Sequence, residues 1–153
     1  LSSNSNPYTP AVNLVFALDE SLKMMKDEGL DKIFKRHKRH KLAVSEAAKT
    51  LNLKLFADEK NLSPSVTAIK LEDVDAENFR KIIKNKYDIL LAGGQDHLKG
   101  KIFRVGHLGY VNDRDIISVI AAIGNTLVEL NKISTEQVGE ALKVASLHLL
   151  KVT

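Results

Sequence analysis

Residues 87–110 read YDILLAGGQDHLKGKIFRVGHLGY, and the folding of this stretch decides what kind of domain the chain makes. YDILLAGG (87–94) reads as a strand running into a glycine-rich loop, and KIFRVG (101–106) as the strand leaving it. The loop is a hairpin connection in which the glycines supply positive φ. It is not a phosphate-binding loop. The spacing from Gly94 to Gly100 is one residue too long, no Ser or Thr follows Lys101, and a strand follows where a helix belongs. No dinucleotide-binding fingerprint occurs either. Within KIFRVG, Arg104 sits among Ile102, Phe103 and Val105. An arginine on an apolar strand needs a partner, because the guanidinium cannot shed its charge. Two partners are open at this point. One is a carboxylate of the same domain in a salt bridge. The other is the carboxylate of a ligand, held bidentately.

Working outward, SVTAIKL (65–71) is rich in β-branched residues and reads as a strand, as does the short alternating LKLFA (53–57). Between the strands, Asp75 caps a short helix with Phe79, Ile82 and Ile83 on its apolar face. On the N-terminal side, Leu14, Leu18, Leu22 and Met25 recur at helical spacing. The pattern breaks at Gly29 and resumes through Ile33, Phe34, Val44, Ala47, Ala48 and Leu51. On the C-terminal side, Asn112 with Asp115 starts a helix carrying Ile116, Ile120, Ile123, Leu127 and Leu130. Ser134 with Gln137 forms a capping box opening a last helix on Val138, Leu142, Ala145 and Leu149. The order helix, helix, strand, strand, helix, strand, strand, helix, helix predicts an α+β fold: a small, mostly antiparallel sheet with helices packed on one face.

The bulk properties agree with one globular domain. The chain has 153 residues, of which 44% are hydrophobic and 27% charged, enough for a real core. No apolar run approaches the length of a membrane span, and the start, LSSNSNPYTP, has neither the basic lead nor the apolar middle of a signal peptide. The absence of cysteine excludes disulfides, thiolate metal sites and thiol nucleophiles from this chain, and fits a cytoplasmic setting. Leu1 in place of a methionine, followed by a Ser/Asn/Pro-rich lead-in, reads as a fragment of a longer protein.

The net charge of +4 and pI of about 9.2 raise the question of nucleic acid. The densest basic run, KRHKRHK (35–41), lies inside an amphipathic helix without interleaved aromatics, so it reads as a solvated helix surface. His37 and His40 are three apart on that helix and could both reach one metal, but no third ligand stands at a supporting spacing. A rim or half-buried position suits them better. No nucleophile elbow occurs, and no pair of carboxylates suggests acid–base work.

Three blocks together point further: YTPAVN (8–13) opening a helix, EGLDKIFKRH (28–37) across the helix junction, and GGQDHLKGKIFRVGHLGY (93–110). In this order they resemble the C-terminal small domain of class V pyridoxal-phosphate-dependent aminotransferases, the serine/alanine–glyoxylate aminotransferase group. The resemblance runs over roughly residues 7–132. It implies that Arg104, on the family's R-[IV]-G strand, binds the α-carboxylate of the amino or keto acid substrate. It implies that Thr9, with Tyr8 and Asn6 less firmly matched, reaches the phosphate of a pyridoxal phosphate held by the partner subunit of a homodimer. Gln95 and His107 would stand behind these contacts. The family's Schiff-base lysine and its pyridine-pairing aspartate lie in a large domain that precedes this segment. Residues 1–10 would then be a linker from that domain, and 11–153 the small domain, inactive by itself. Serine, alanine or aspartate with glyoxylate or pyruvate is the implied substrate class. Some relatives carry the name soluble hydrogenase small subunit, which reads as a historical label. The competing reading is a non-enzymatic α+β module that binds small anions or a partner chain. An exposed apolar face where a large domain or dimer partner belongs separates the two. Nucleic acid and membrane are not expected partners.

Overall fold

The computed structural model describes residues 8–150; Asn6 and most of the expected 1–10 linker lie outside the described residues. The packing divides the chain into two compact units, residues 1–35 and 36–153.

In the first unit, helix α1 spans Val12–Glu28 and ends at Gly29, whose φ of 86° suits glycine and whose N–H donates to the Met25 carbonyl. Helix α2 then begins at Leu30 and runs to Thr50, on into the second unit. The junction expected at Gly29 is therefore a cap between two helices. α1 buries none of its side chains: Leu14, Leu18, Leu22 and Met25, the stripe that its periodicity predicts, are all exposed.

The second unit holds the sheet: β1 (Lys54–Leu55), β2 (Val66–Lys70), β3 (Ala92–Gly93) and β4 (Ile102–Gly106), in the order β1-β2-β4-β3 with every pair antiparallel. Helices α3 (Ala76–Tyr87), α4 (Asp113–Glu129) and α5 (Thr135–Leu149) complete it, with 3-10 turns at Glu59–Asn61 and Asp96–Leu98. Strand alternation sorts the side chains onto two faces. Thr67, Ile69, Phe103 and Val105 are buried on the face that meets the helices, where the Phe79 ring of α3 lies 5.2 Å from that of Phe103. Ala68, Lys70 and Arg104 alternate onto the other face and are not fully buried. The α+β fold with helices on one face is what the sequence pattern predicts.

Two local expectations need correction. The strand read over 87–94 reduces to Ala92–Gly93. Helix α3 runs on to Tyr87, and Asp88 adopts a left-handed φ of 54° that ends it, so residues 88–91 approach the sheet without joining its ladder. At α5 the capping box is half made. Ser134 accepts from the Gln137 N–H, but the Gln137 amide donates to the Thr50 carbonyl at 2.9 Å, tying α5 to the end of α2.

The basic run 35–41 is not a solvated surface. Only Lys35 and Lys38 are exposed. Arg36 donates to the Gly109 and Val111 carbonyls at 2.9 and 3.0 Å, and Arg39 to both Asp113 carboxylate oxygens at 3.0 and 3.3 Å. His40 is fully buried, its Nε2 2.8 Å from Asp113 Oδ1. The charges of α2 thus hold the segment that leaves β4 and starts α4. Asp113 receives two of them and stands in the first turn of α4, where a negative charge suits the helix dipole. Burial would raise its carboxyl, but the hydrogen bonds from His40 and Arg39 outweigh that and hold it below its usual range.

Across the sheet, His107 is fully buried between Thr67 Oγ1, 2.9 Å from Nε2, and the Pro64 carbonyl, 3.1 Å from Nδ1. Burial pushes its imidazole down to about 4, with His40, His37 and Lys41 adding repulsion. Burial also lowers His40, against the pull of Asp113.

Two outcomes follow for stability. Removing the shared acceptor in Asp113→Ala leaves a buried imidazole and a half-buried guanidinium unpaired, and is expected to cost about 1–3 kcal/mol in denaturant unfolding. For His107, the unfolded imidazole titrates near 6.5 and the folded one at about 4. Between those values the unfolded chain binds more protons, so stability falls as pH falls through that window and the loss is complete below it. The contribution lost is roughly 3 kcal/mol. Melting temperatures measured from pH 7 to pH 4 should fall more steeply for the wild type than for His107→Gln; equal slopes would contradict this account of His107.

Candidate functional site

Arg104 occupies the middle of the sheet. In register it stands between Ala68 of β2 and Ala92 of β3, two side chains too short to crowd it. Its Nε donates to the Gly93 carbonyl at 3.0 Å, which leans the side chain towards the edge strand. No carboxylate among the described residues lies within ion-pair distance of it. The salt-bridge alternative left open by the sequence is thereby removed. What remains is a half-buried guanidinium on the helix-free face, held through Nε, with both terminal nitrogens available. That arrangement suits a carboxylate taken bidentately, since two parallel N–H donors match its two oxygens.

The expectation that the loop glycines supply positive φ holds for Gly100 but not for Gly93 and Gly94. Gly93 and Gly94 do not need positive φ; within the stretch 93–110 that role falls to Gly100 at 75° and Gly109 at 85°. A Cβ on Gly93 would lie 2.5 Å from Arg80 Nη1 and 2.6 Å from Glu77 Oε1, and one on Gly94 would meet the Leu98 carbonyl. These two glycines permit close approach of the chain to itself: Gly93 to an ion pair of α3, and Gly94 to the turn that follows it.

Tyr8 and Thr9 belong to the first unit, just before α1, and both are exposed, Tyr8 at 86%. Arg104 belongs to the second unit. Of the residues expected to stand behind the contacts, His107 sits on the helix face of the sheet, opposite Arg104, and its partners are structural. Gln95 precedes the 3-10 turn and makes no side-chain cap there. His37 and His40 have no third ligand: among the described residues no group of three metal-ligating side chains comes together. A pocket of about 170 Å³ lies between the ends of α2 and α4, lined by Leu51, Leu53, Leu71, Leu127 and Ile133. It does not include Arg104. The open sheet face is the better candidate, because there a half-buried guanidinium without an acidic partner among the described residues stands at the centre of the sheet.

Sequence reading found Arg104 and missed what holds it. Glu77 and Arg80, at i,i+3 spacing in α3, could be read as a surface ion pair. Nothing in the sequence announces that Arg80 also reaches the Leu91 carbonyl at 2.7 Å.

No protein-family model matches the chain. Individual relatives do. The chain is 53% identical over 129 residues to the soluble hydrogenase 42 kDa subunit of Anabaena cylindrica, a match covering 84% of this chain and 34% of that protein. It is 41% identical over 125 residues to an uncharacterized aminotransferase of Methanocaldococcus jannaschii, covering 81% and 32%. Among solved structures it is similar to the ureidoglycine–glyoxylate aminotransferase of Bacillus subtilis, with a TM-score of 0.86, 29% identity, and coverage of 94% of this chain and 37% of that one. The chain spans about a third of the length of the curated relatives it matches. Sequence blocks, fold and relatives agree: the chain is homologous to about a third of the length of class V aminotransferases of the serine/alanine–glyoxylate type.

Proposed function

We propose that this chain is the substrate-binding small domain of a cytoplasmic, homodimeric, pyridoxal-phosphate-dependent aminotransferase, and that Arg104 holds the α-carboxylate of its amino and keto acid substrates. The observation that carries this reading is the state of Arg104: central on the uncovered sheet face, anchored through Nε, without a carboxylate of its own. Burying a charge in an active site is costly unless an anion meets it there. A substrate carboxylate supplies that anion. Its bidentate geometry fixes the orientation of the substrate Cα, and so decides which bond faces the cofactor.

Pyridoxal phosphate, when bound, supplies the electron sink for the reaction. The residues at the start of this chain suit its phosphate: Thr9 and Tyr8 are exposed hydroxyl donors on a short segment ahead of α1. They would contribute across the dimer. The Schiff-base lysine and the aspartate for the pyridine nitrogen would come from a preceding large domain, with residues 1–10 as the link to it and 11–153 as the small domain. In this reading the segment does not transaminate by itself. The substrates are an amino acid such as serine, alanine or aspartate and a small oxo acid, glyoxylate or pyruvate; glyoxylate is the oxo acid named for the Bacillus subtilis structure.

The apolar stripe of α1 supports an enzyme piece over a self-sufficient anion- or partner-binding module. Leu14, Leu18 and Leu22 are 71%, 58% and 54% exposed. A free-standing module has no use for such a helix, whereas a larger enzyme covers it.

In the full-length enzyme, Arg104→Ala should lower kcat/KM by the loss of a charged bidentate pair, on the order of 2–5 kcal/mol. Cofactor absorbance and cofactor affinity should stay near wild type. Arg104→Lys should recover little, since a point charge does not replace a planar fork. Normal turnover by Arg104→Ala would refute the assignment.

A further inference from the structure

Arg104 is held by a carbonyl, and that carbonyl belongs to a weak element. β3 has two residues, pairs on one side only, and forms the edge of the sheet. Short edge strands fray unless something else fixes them. The Gly93 carbonyl that accepts from Arg104 Nε is therefore only as well placed as β3 itself.

We infer that Arg80, on helix α3, is a positioning residue for substrate binding: it pins β3 against the sheet and so sets the direction in which Arg104 presents its guanidinium. Its Nε donates to the Leu91 carbonyl at 2.7 Å, immediately before β3. Its Nη1 donates to both Glu77 carboxylate oxygens at 2.8 Å, which fixes the guanidinium from the other side. The Arg80 side chain is 22% exposed and that of Glu77 40%, so the pair is partly sheltered from water. The Arg80–Glu77 pair also lies directly behind Gly93, where a Cβ would collide with it. The glycine at 93 is thus explained by the brace rather than by the ligand. The chain of contacts is continuous: Glu77 orients Arg80, Arg80 fixes Leu91 and backs Gly93, and the Gly93 carbonyl orients Arg104. A surface ion pair at i,i+3 would by itself contribute little. This one has a second function because a backbone carbonyl completes it.

The inference rests on the carboxylate reading of Arg104 and is tested in the same full-length enzyme. Arg80→Lys keeps the charge beside Glu77 but loses the fork that spans Glu77 and Leu91; Arg80→Met removes both. Supporting groups one step behind a binding residue typically matter by about tenfold or more. Both variants should raise KM for the amino and keto acid substrates about tenfold, with cofactor affinity unchanged and, for Arg80→Lys, a melting temperature close to wild type. A structural role alone would not produce the next result. In an Arg104→Ala background, Arg80→Lys should have no further effect on kcat/KM, because the group it positions is gone. An unchanged KM in Arg80→Lys, or an effect that adds in full to that of Arg104→Ala, would overturn the inference while leaving the carboxylate reading standing. A normal KM in Arg104→Ala alone would remove both.

Discussion

A guanidinium keeps its charge at any working pH, and the structure gives Arg104 a backbone carbonyl but, among the described residues, no acidic side chain. Much of the rest of the second unit serves that arrangement. The sheet presents Arg104 at its centre, flanked by Ala68 and Ala92, so nothing of comparable length competes for the space above it. All the helices of the unit that meet the sheet do so on the opposite face, where Phe79 packs on Phe103 and the core lies. The result is a one-sided layer with a firm back and a charged, uncovered front.

The firmness of the back has identifiable sources. Of the histidines that the sequence singled out, His40 and His107 are fully buried and serve packing: one joins α2 to the start of α4, the other joins β2 to the end of β4. Arg36 and Arg39 add three further contacts to the same segment through Gly109, Val111 and Asp113. What reads as a basic stripe is therefore internal wiring around the exit from β4. On the other side of the sheet, Arg80 and Glu77 do the same for the edge strand. Cationic side chains brace the sheet on both flanks, while the central Arg104 has no acidic partner among the described residues.

The parts of this structure that were legible in the sequence are those with local causes. Periodicity located the long helices, β-branched runs located β2 and β4, and Asn112 with Asp115 marked the start of α4, where the full capping box is found. Arg104 stood out because a charge on an apolar strand is anomalous wherever it occurs. The misses have a common physical origin. The strand at 87–94 shrank because α3 runs on to Tyr87 and is ended only there, by a left-handed Asp88. Gln137 abandoned its capping box for the Thr50 carbonyl, 87 residues away in sequence. The partners of Arg36, Arg39 and His40, and the Leu91 carbonyl that Arg80 reaches, are likewise long-range or backbone groups, which spacing does not reveal. Charge runs are read as solvated by default, and tertiary acceptors overrode that default here.

The most direct test of the central claim is a crystal structure of the full-length enzyme with cofactor and a carboxylate-bearing substrate analogue. Both carboxylate oxygens should lie within hydrogen-bond distance of the terminal nitrogens of Arg104, with Nε still on the Gly93 carbonyl. A carboxylate bound elsewhere, with Arg104 paired to an acidic side chain of the rest of the protein, would contradict it.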